Sequence, residues 1–520
     1  MAGTPDGKNV RLAEVVAALS LGTDLGMGMP MEHVLRQCLI SMRLADRAGL
    51  DAADHGVVYY TALLAWVGCH VDAYEQAKWF GDDLALKSDF RTTDFAGPAA
   101  TARFMLEHFG AGSPMVQRAK LSVEMMRSGR PRRRAALERH CYAADDLAGR
   151  LGLGQRVRRS ILQTFERWDG KGVPDGAKGD DILPTARIVN LADVLEVYQR
   201  AGGTTSAIAV ARERSGTQFD SALVDVFCSS ASEIFTELDA VTTWDAVIAG
   251  EPGLAAWLSE SEFDGALEAI ADFVDVKSPY TIGHSRGVAE LAAGAARCYG
   301  LPPHDIALVR RAGLVHDLGR LGVSNAVWDK PGTLTAAEFE RVRLHPYLSE
   351  RILASSKTLA PLGAIAVEHH ERLDGSGYPK GITANAITLP SRILAAADAY
   401  RTRLEPRPHR PACPAAEAAI QLRGEARAGR LDGDAVNAVL RVAGQRVTHH
   451  PQLPAGLTAR EVEVLRLLAV GLKPAEIAER LVISHKTARN HVEHIYTKIG
   501  ASNRAMASLF AARHGLIGDR

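Results

Sequence analysis

Apolar residues recur at helical spacing along nearly the whole chain. In GHSRGVAELAAGA (283–295), His284, Val288, Leu291 and Ala295 fall on one stripe; in LVRRAGLVHDLGR (308–320), Leu308, Ala312, Val315 and His316 do. RILAAADAY (392–400) groups Leu394, Ala397 and Asp398, and LGAIAVEHH (362–370) puts Leu362, Ile365, Ala366, His369 and His370 on one buried helical stripe. Long alternating runs of Val, Ile and Thr are missing, so the expected class is all-α. Two joints, AVIAGEPG (246–253) and THHPQLPAG (448–456), divide the chain into pieces 1–250, 251–450 and 451–520.

Composition narrows the class further. The 520 residues carry 61 basic and 61 acidic side chains, so net charge points to no partner and any preference for nucleic acid must be local. Six cysteines form no CxxC pair, which fits scattered buried thiols in a reducing cytosol and argues against a zinc cage or disulfide framework. The first residues lack the pattern of a signal peptide, and the longest uncharged apolar stretch, GVVYYTALLAWVGC (56–69), is too short to span a bilayer. A cytoplasmic protein with no membrane partner is expected.

The histidines change the picture. A single core-facing histidine is usually a hydrogen-bonded core residue, but here five ligand-type positions share four apolar helical faces. Buried ionisable groups are costly unless paired or bound to metal, and helices that project His and carboxylates inward build dinuclear sites. The strings YTIGHS (280–285), AGLVHDLGRLGV (312–323), KPGTLTAAEFERVRLHP (330–346), EHHERLDGSGYPKG (368–381), LPSRILAAADAY (389–400) and RPHR (407–410) together resemble the HD-GYP phosphohydrolases. That resemblance implies an all-α bundle with a two- or three-metal centre that cleaves cyclic di-GMP. By position, the ligands it implies are His284, His316, Asp317, His345, His369, His370 and Asp398, with Asp317 bridging. Imidazole and carboxylate without thiolate suit first-row divalent metals, iron or manganese above all. The position used for a third ion in some relatives is Tyr280, so two ions are expected.

One motif departs from the family: HDxGK is HDLGR here. Arg320 can clamp phosphate but is effectively never deprotonated, so slower catalysis or another substrate is a second expectation. The resemblance assigns Asp317 and Arg320 to catalysis, and Arg320, Arg372, Gly377, Tyr378 and Pro379 to the substrate side.

The first piece repeats the second. At an offset of 251, GLDAADHGVVYYTALLAWVG (49–68) lies over 300–319 and His33 falls on His284. At an offset of 205, His140 falls on His345, FERWDGKGVP (165–174) on HERLDGSGYP (370–379), and Asp193 on Asp398. The offsets differ by 46, the size of an insertion that includes the basic run RSGRPRRR (127–134), read as a solvated loop. Ala65, Trp66, Thr164 and Phe165 replace four of the seven ligands, so this piece resembles a degenerate HD domain that pairs or senses and lacks a metal.

Residues 457–517 resemble the LuxR-type helix-turn-helix. Thr458 and Glu461 form a capping box, Pro474 opens a second helix and Ser484 caps a third. Ala488, Val492, Ile495 and Ile499 face inward, leaving Lys486, Thr487, Arg489, Asn490, Glu493 and His494 for DNA. The last 66 residues hold 10 basic and 6 acidic side chains. The expectation is therefore two tandem HD-type bundles and a small helix-turn-helix: a transcription regulator, homodimeric on double-stranded DNA, that binds and hydrolyses a cyclic dinucleotide. The alternatives are a nucleotide sensor without turnover and a phosphohydrolase of another nucleotide.

Overall fold

The computed structural model describes residues 10–90, 138–236, 242–253, 256–445, 459–481 and 483–514, with a few short pieces between these stretches. Helices dominate, and the strand pair Val10–Arg11 with Trp257–Leu258 ties the start of the first repeat to the start of the second. The chain divides into two compact units, Met1–Arg446 and Val447–Arg520. The joint at 246–253 thus lies inside the first unit. The basic run 127–134, Thr458 and most of the joint at 448–456 lie outside the described residues.

The two repeats share one core because helix Leu12–Gly26 is covered nearly all round. Thirteen of its fifteen residues are buried, as expected of a helix covered on every side. One face packs in the first repeat, where Ser20 Oγ donates to Leu63 O at 2.8 Å. The other meets the second repeat, where a Cβ at Gly22 would touch Leu321 Cδ1 at 3.2 Å. Leu19, Leu21, Leu35, Leu318, Leu321 and Ile352 belong to the same buried cluster.

The offsets found in the sequence reappear in the elements. Helix Ala52–Leu64 stands 251 positions before Pro303–Val315, and the short turns Gly179–Asp181 and Ala384–Ala386 stand 205 apart. Pro184–Glu213, kinked at Gly202 and Gly203, matches Leu389–Leu404 in its start. Each repeat also has a glycine where helices close on one another: a Cβ at Gly68 would lie 2.2 Å from His140 O, and one at Gly319 would lie 2.1 Å from His345 O. No side chain other than hydrogen fits there.

The second unit consists of helices Ala459–Ala469, Pro474–Leu481, His485–Ile499 and Arg504–Arg513 around Val464, Leu465, Ile477, Ala488 and Ile495. Ser484 Oγ accepts from Thr487 N at 3.0 Å and caps the third helix. Among the described residues no helix is long and apolar enough to cross a membrane.

Candidate metal centre

The seven candidate ligands of the second repeat converge, and most do so from helix ends. His284 and His345 are the first residues of His284–Tyr299 and His345–Leu353, and His316 follows the last residue of Pro303–Val315. His369 and His370 lie in a turn beyond Ala360–Ala366, where the apolar period had placed them on the helix itself. Only Asp398 sits within a helix, Leu389–Leu404.

Helix ends explain how the rings are held. The last carbonyls of a helix have no intrahelical partner. His316 Nδ1 donates to Gly313 O at 2.8 Å, His345 Nδ1 to Val342 O at 2.6 Å, and His369 Nδ1 to Ala366 O at 2.6 Å. All three acceptors lie in the last turn of their helices. Each bond fixes the tautomer and turns the Nε2 lone pair inward, the arrangement metal-binding histidines use.

Asp317 lies between two sets of these lone pairs. Its Oδ2 is 3.7 Å from both His284 Nε2 and His316 Nε2; its Oδ1 is 3.4 Å from His345 Nε2 and 3.8 Å from His369 Nε2. Asp398 joins the first set through Oδ1, 3.4 Å from His284 Nε2, and reaches His370 Nδ1 through Oδ2 at 3.8 Å. The groups His284, His316, Asp398 and His345, His369, His370 each bring their donor atoms within 4.8 Å of one another.

The donor set fits cations. His316 Nε2 is buried without a hydrogen-bond partner. His345 Nε2 and His369 Nε2 face each other at 3.3 Å although both rings carry their proton on Nδ1. Two lone pairs at that distance repel unless a positive charge stands between them. Burial drives His369 down to about 3 and holds His316 and His370 below the ordinary imidazole value, so these rings are neutral. Burial alone would raise Asp317, but His316 and Arg320 beside it hold it well below the carboxylate range. Burial would likewise raise Asp398, which the hydrogen bond from His284 holds low.

Further residues, absent from the sequence-level site, complete the setting. His284 Nδ1 donates to Glu405 Oε2 at 2.8 Å, Arg407 Nη2 donates to the same oxygen at 3.0 Å, and Thr402 Oγ1 donates to Asp398 Oδ1 at 3.0 Å. The available signal was a carboxylate two turns after Asp398, followed by the RPHR string.

The residues expected on the substrate side are arranged less uniformly. Arg320 Nη1 donates to Asp317 Oδ2 at 2.8 Å, and its guanidinium lies 4.0 Å from the Trp328 ring centre. Arg372 Nη1 donates to Glu371 O at 2.8 Å, tying it to its own turn. A Cβ at Gly377 would meet Arg372 N at 2.4 Å, so only glycine permits this fold-back. Glu371 accepts from the amides of Lys380, Gly381 and Ile382 and closes the turn. Pro379 follows in the same turn, joined to Tyr378 by a cis peptide bond. The Tyr378 ring lies 4.7 Å from His370 and 6.2 Å from Phe339, which is 45% exposed. This aromatic wall borders His370, the one imidazole of the candidate ligands that is partly exposed.

In the first repeat the corresponding space is filled. Trp66 meets Phe165 edge-on at 4.9 Å, and Phe165 meets His140 at 4.7 Å. His140 Nε2 donates to Ala65 O at 3.1 Å, and His33 is bonded by Glu196 and Asp193. Among the described residues, every group of donor atoms close enough to hold a metal lies in the second repeat.

In the second unit, Lys486, Thr487, Arg489, Asn490, Glu493 and His494 are all exposed on helix His485–Ile499, while Ala488, Val492 and Ile495 are buried.

Comparisons with known proteins match both repeats and the second unit. The HD-domain profile matches residues 127–223 and 268–435, and the profile of bacterial regulatory proteins of the LuxR family matches 455–511. A 3′3′-cGAMP-specific phosphodiesterase of Vibrio cholerae is 31% identical over 407 residues, 78% of this chain and 88% of that protein. A cyclic di-GMP phosphodiesterase of Pseudomonas aeruginosa is 31% identical over 276 residues, 51% of this chain and 61% of that protein. The crystal structure of a cyclic GMP-AMP specific phosphodiesterase of V. cholerae superposes with a TM-score of 0.58 at 26% identity, covering 84% of this chain and 98% of that one.

Proposed function

This chain belongs to the HD-domain family, in its HD-GYP branch, and ends in a LuxR-type domain; on that premise we propose that its second repeat binds two divalent first-row metal ions, iron or manganese, and hydrolyses a cyclic dinucleotide. The observation that supports this best is the pair of Nε2 atoms of His345 and His369, 3.3 Å apart beside Asp317 Oδ1. His284, His316, Asp398 and Asp317 Oδ2 would hold one ion; His345, His369, His370 and Asp317 Oδ1 would hold the other. Such ions supply hydroxide at neutral pH and neutralise charge that develops on a phosphodiester.

The chain's own groups do the rest. Glu405 and three helix-end carbonyls keep the rings aimed. Arg320 holds Asp317 in place. Its guanidinium keeps its charge throughout and can donate to phosphate oxygens, so the proton for the leaving oxygen comes from another group. Arg407 adds a second cation beside Glu405. Tyr378 and Phe339 offer aromatic surface of the kind on which a purine stacks.

Two relatives that differ in name bear on the choice of dinucleotide. The one that matches across both repeats is named for 3′3′-cGAMP, and the other for cyclic di-GMP; both dinucleotides contain guanine. We take cyclic di-GMP and 3′3′-cGAMP as the two substrates to test. A second reading, a sensor that binds nucleotide without cleaving it, is favoured by Arg320, which is engaged by Asp317 and Trp328 where the family has lysine. In either reading the protein acts in the cytoplasm as a transcription regulator. Helix His485–Ile499 enters the major groove, and two copies read two half-sites. Metal analysis of purified protein, followed by chromatography of its products on each dinucleotide, tests the proposal. About two ions per chain with turnover supports it, and bound nucleotide without turnover supports the sensor.

A further inference from the structure

Among the described residues the first repeat holds no candidate ligand group, yet one of its side chains reaches the loop behind the metal centre. Asp83, fully buried, begins helix Asp83–Phe90. Its Oδ1 accepts from Ser324 Oγ at 2.7 Å and from Asn325 N at 2.8 Å; its Oδ2 accepts from Lys87 Nζ at 3.0 Å. Ser324 and Asn325 lead the short turn Asn325–Trp328. At its end the Trp328 ring lies 4.0 Å from the Arg320 guanidinium carbon and 5.3 Å from the His345 ring. Arg320 in turn donates to Asp317 Oδ2 at 2.8 Å.

The same turn is fixed from its own repeat by Lys277, whose Nζ donates to Val323 O at 2.7 Å and Asn325 Oδ1 at 2.6 Å. Asn325 Nδ2 donates to Lys277 O at 2.8 Å and Asp329 Oδ2 at 2.6 Å. Asp83 supplies the anchor from outside. Buried charged groups that are fully partnered hold one geometry, because breaking any contact leaves a charge without compensation.

We propose that Asp83 is a positioning residue of the metal centre: it clamps the turn Asn325–Trp328 so that Trp328 holds Arg320 against Asp317. The degenerate repeat thereby sets the catalytic geometry of its active partner. This rests on the hydrolytic reading of the centre, and the experiment separates the two.

The experiment is a double-mutant cycle on the full chain with Asp83→Ala and Trp328→Ala, reading kcat, KM and metal content. Expected is a kcat loss of about tenfold for Asp83→Ala with KM within about twofold and metal content unchanged, since a misplaced reacting group lowers the rate more than binding. In the Trp328→Ala background the same change should cost under about twofold, because the clamp no longer has its target. Asp83→Asn, which keeps an acceptor for Ser324 and Asn325, should recover most of the rate. Equal losses in both backgrounds, or loss of metal with Asp83→Ala, would overturn the clamp. If Asp83→Ala unfolds the protein, Ser324→Ala takes its place in the cycle, since it removes one Asp83 contact and leaves the Lys87 pair. Hydrogen exchange at residues 318–329 reads the clamp without turnover. Faster exchange confined to that loop supports it even if the wild type proves to be a sensor, and unchanged exchange overturns it.

Discussion

The His284 ring donates through Nδ1 to Glu405 at 2.8 Å, and its counterpart His33 makes the same contact with Glu196 from a position one helical turn earlier. In the aligned register Glu196 falls on Arg401 and Arg200 on Glu405. Both repeats pair the two at a spacing of four residues, Arg200 with Glu196 and Arg401 with Glu405, in opposite order. The contact persists while its sequence position has moved. In the first repeat it holds a structural histidine; in the second it orients a candidate ligand.

Replacing Glu405 by Gln should therefore weaken metal binding. Loss of a carboxylate behind a ligating histidine typically costs about 10–100-fold in affinity. Metal titration of Glu405→Gln should show that loss first at one of the two ions, with the helical fold intact by circular dichroism.

The first repeat should depend on its aromatic filling and be indifferent to metal. Trp66→Ala empties the space between Phe165 and His140 and should cost about 3–5 kcal/mol of stability in denaturant unfolding. Metal content per folded chain should remain that of the wild type.

Asp83 gives a pH signature. Burial would raise its carboxyl, but the Lys87 and Lys277 charges lower it from the ordinary 3.8 to about 2. A carboxyl lowered on folding stabilises fully above its unfolded value and loses that contribution as pH falls through the folded one. Its share, about 2 kcal/mol at 1.36 kcal/mol per unit, is complete above pH ~4 and vanishes toward pH ~2. Unfolding curves across this window should be shallower for Asp83→Asn.

Much of this was legible in the sequence, for a reason particular to each part. The helical class follows from apolar spacing, and the repeat register from the match of 49–68 to 300–319, whose closing glycines, Gly68 and Gly319, sit where any Cβ would strike a backbone oxygen. Five of the seven candidate ligands stood out because His and Asp on apolar faces are costly to bury unless something charged compensates them, and the family resemblance implied Asp317 and His345. The turn at His369 and His370 was not, since the apolar period runs on past the last helical residue, Ala366. Glu405 and Asp83 escaped because their contacts, to His284 and to Ser324 and Asn325, are distant in sequence, and nothing local marks them. The joint at 246–253 divided the repeats in sequence, but helix Leu12–Gly26 joins them in space.

For the second unit, Lys486→Ala should weaken DNA binding across all sequences and reduce the salt slope by about 1. Asn490→Ala should instead cost about 1–3 kcal/mol at a preferred site and relax its sequence choice. Fluorescence anisotropy over a salt series on specific and random duplexes separates the two behaviours.

The most direct measurement is hydrolysis of cyclic di-GMP and 3′3′-cGAMP by metal-loaded wild-type protein beside Asp317→Asn, with metal counted in both. A dinuclear centre bridged by Asp317 predicts about two ions and turnover of at least one dinucleotide in the wild type. It also predicts loss of both turnover and metal in Asp317→Asn, because one carboxylate serves both halves of the centre. Turnover that survives in Asp317→Asn would contradict it.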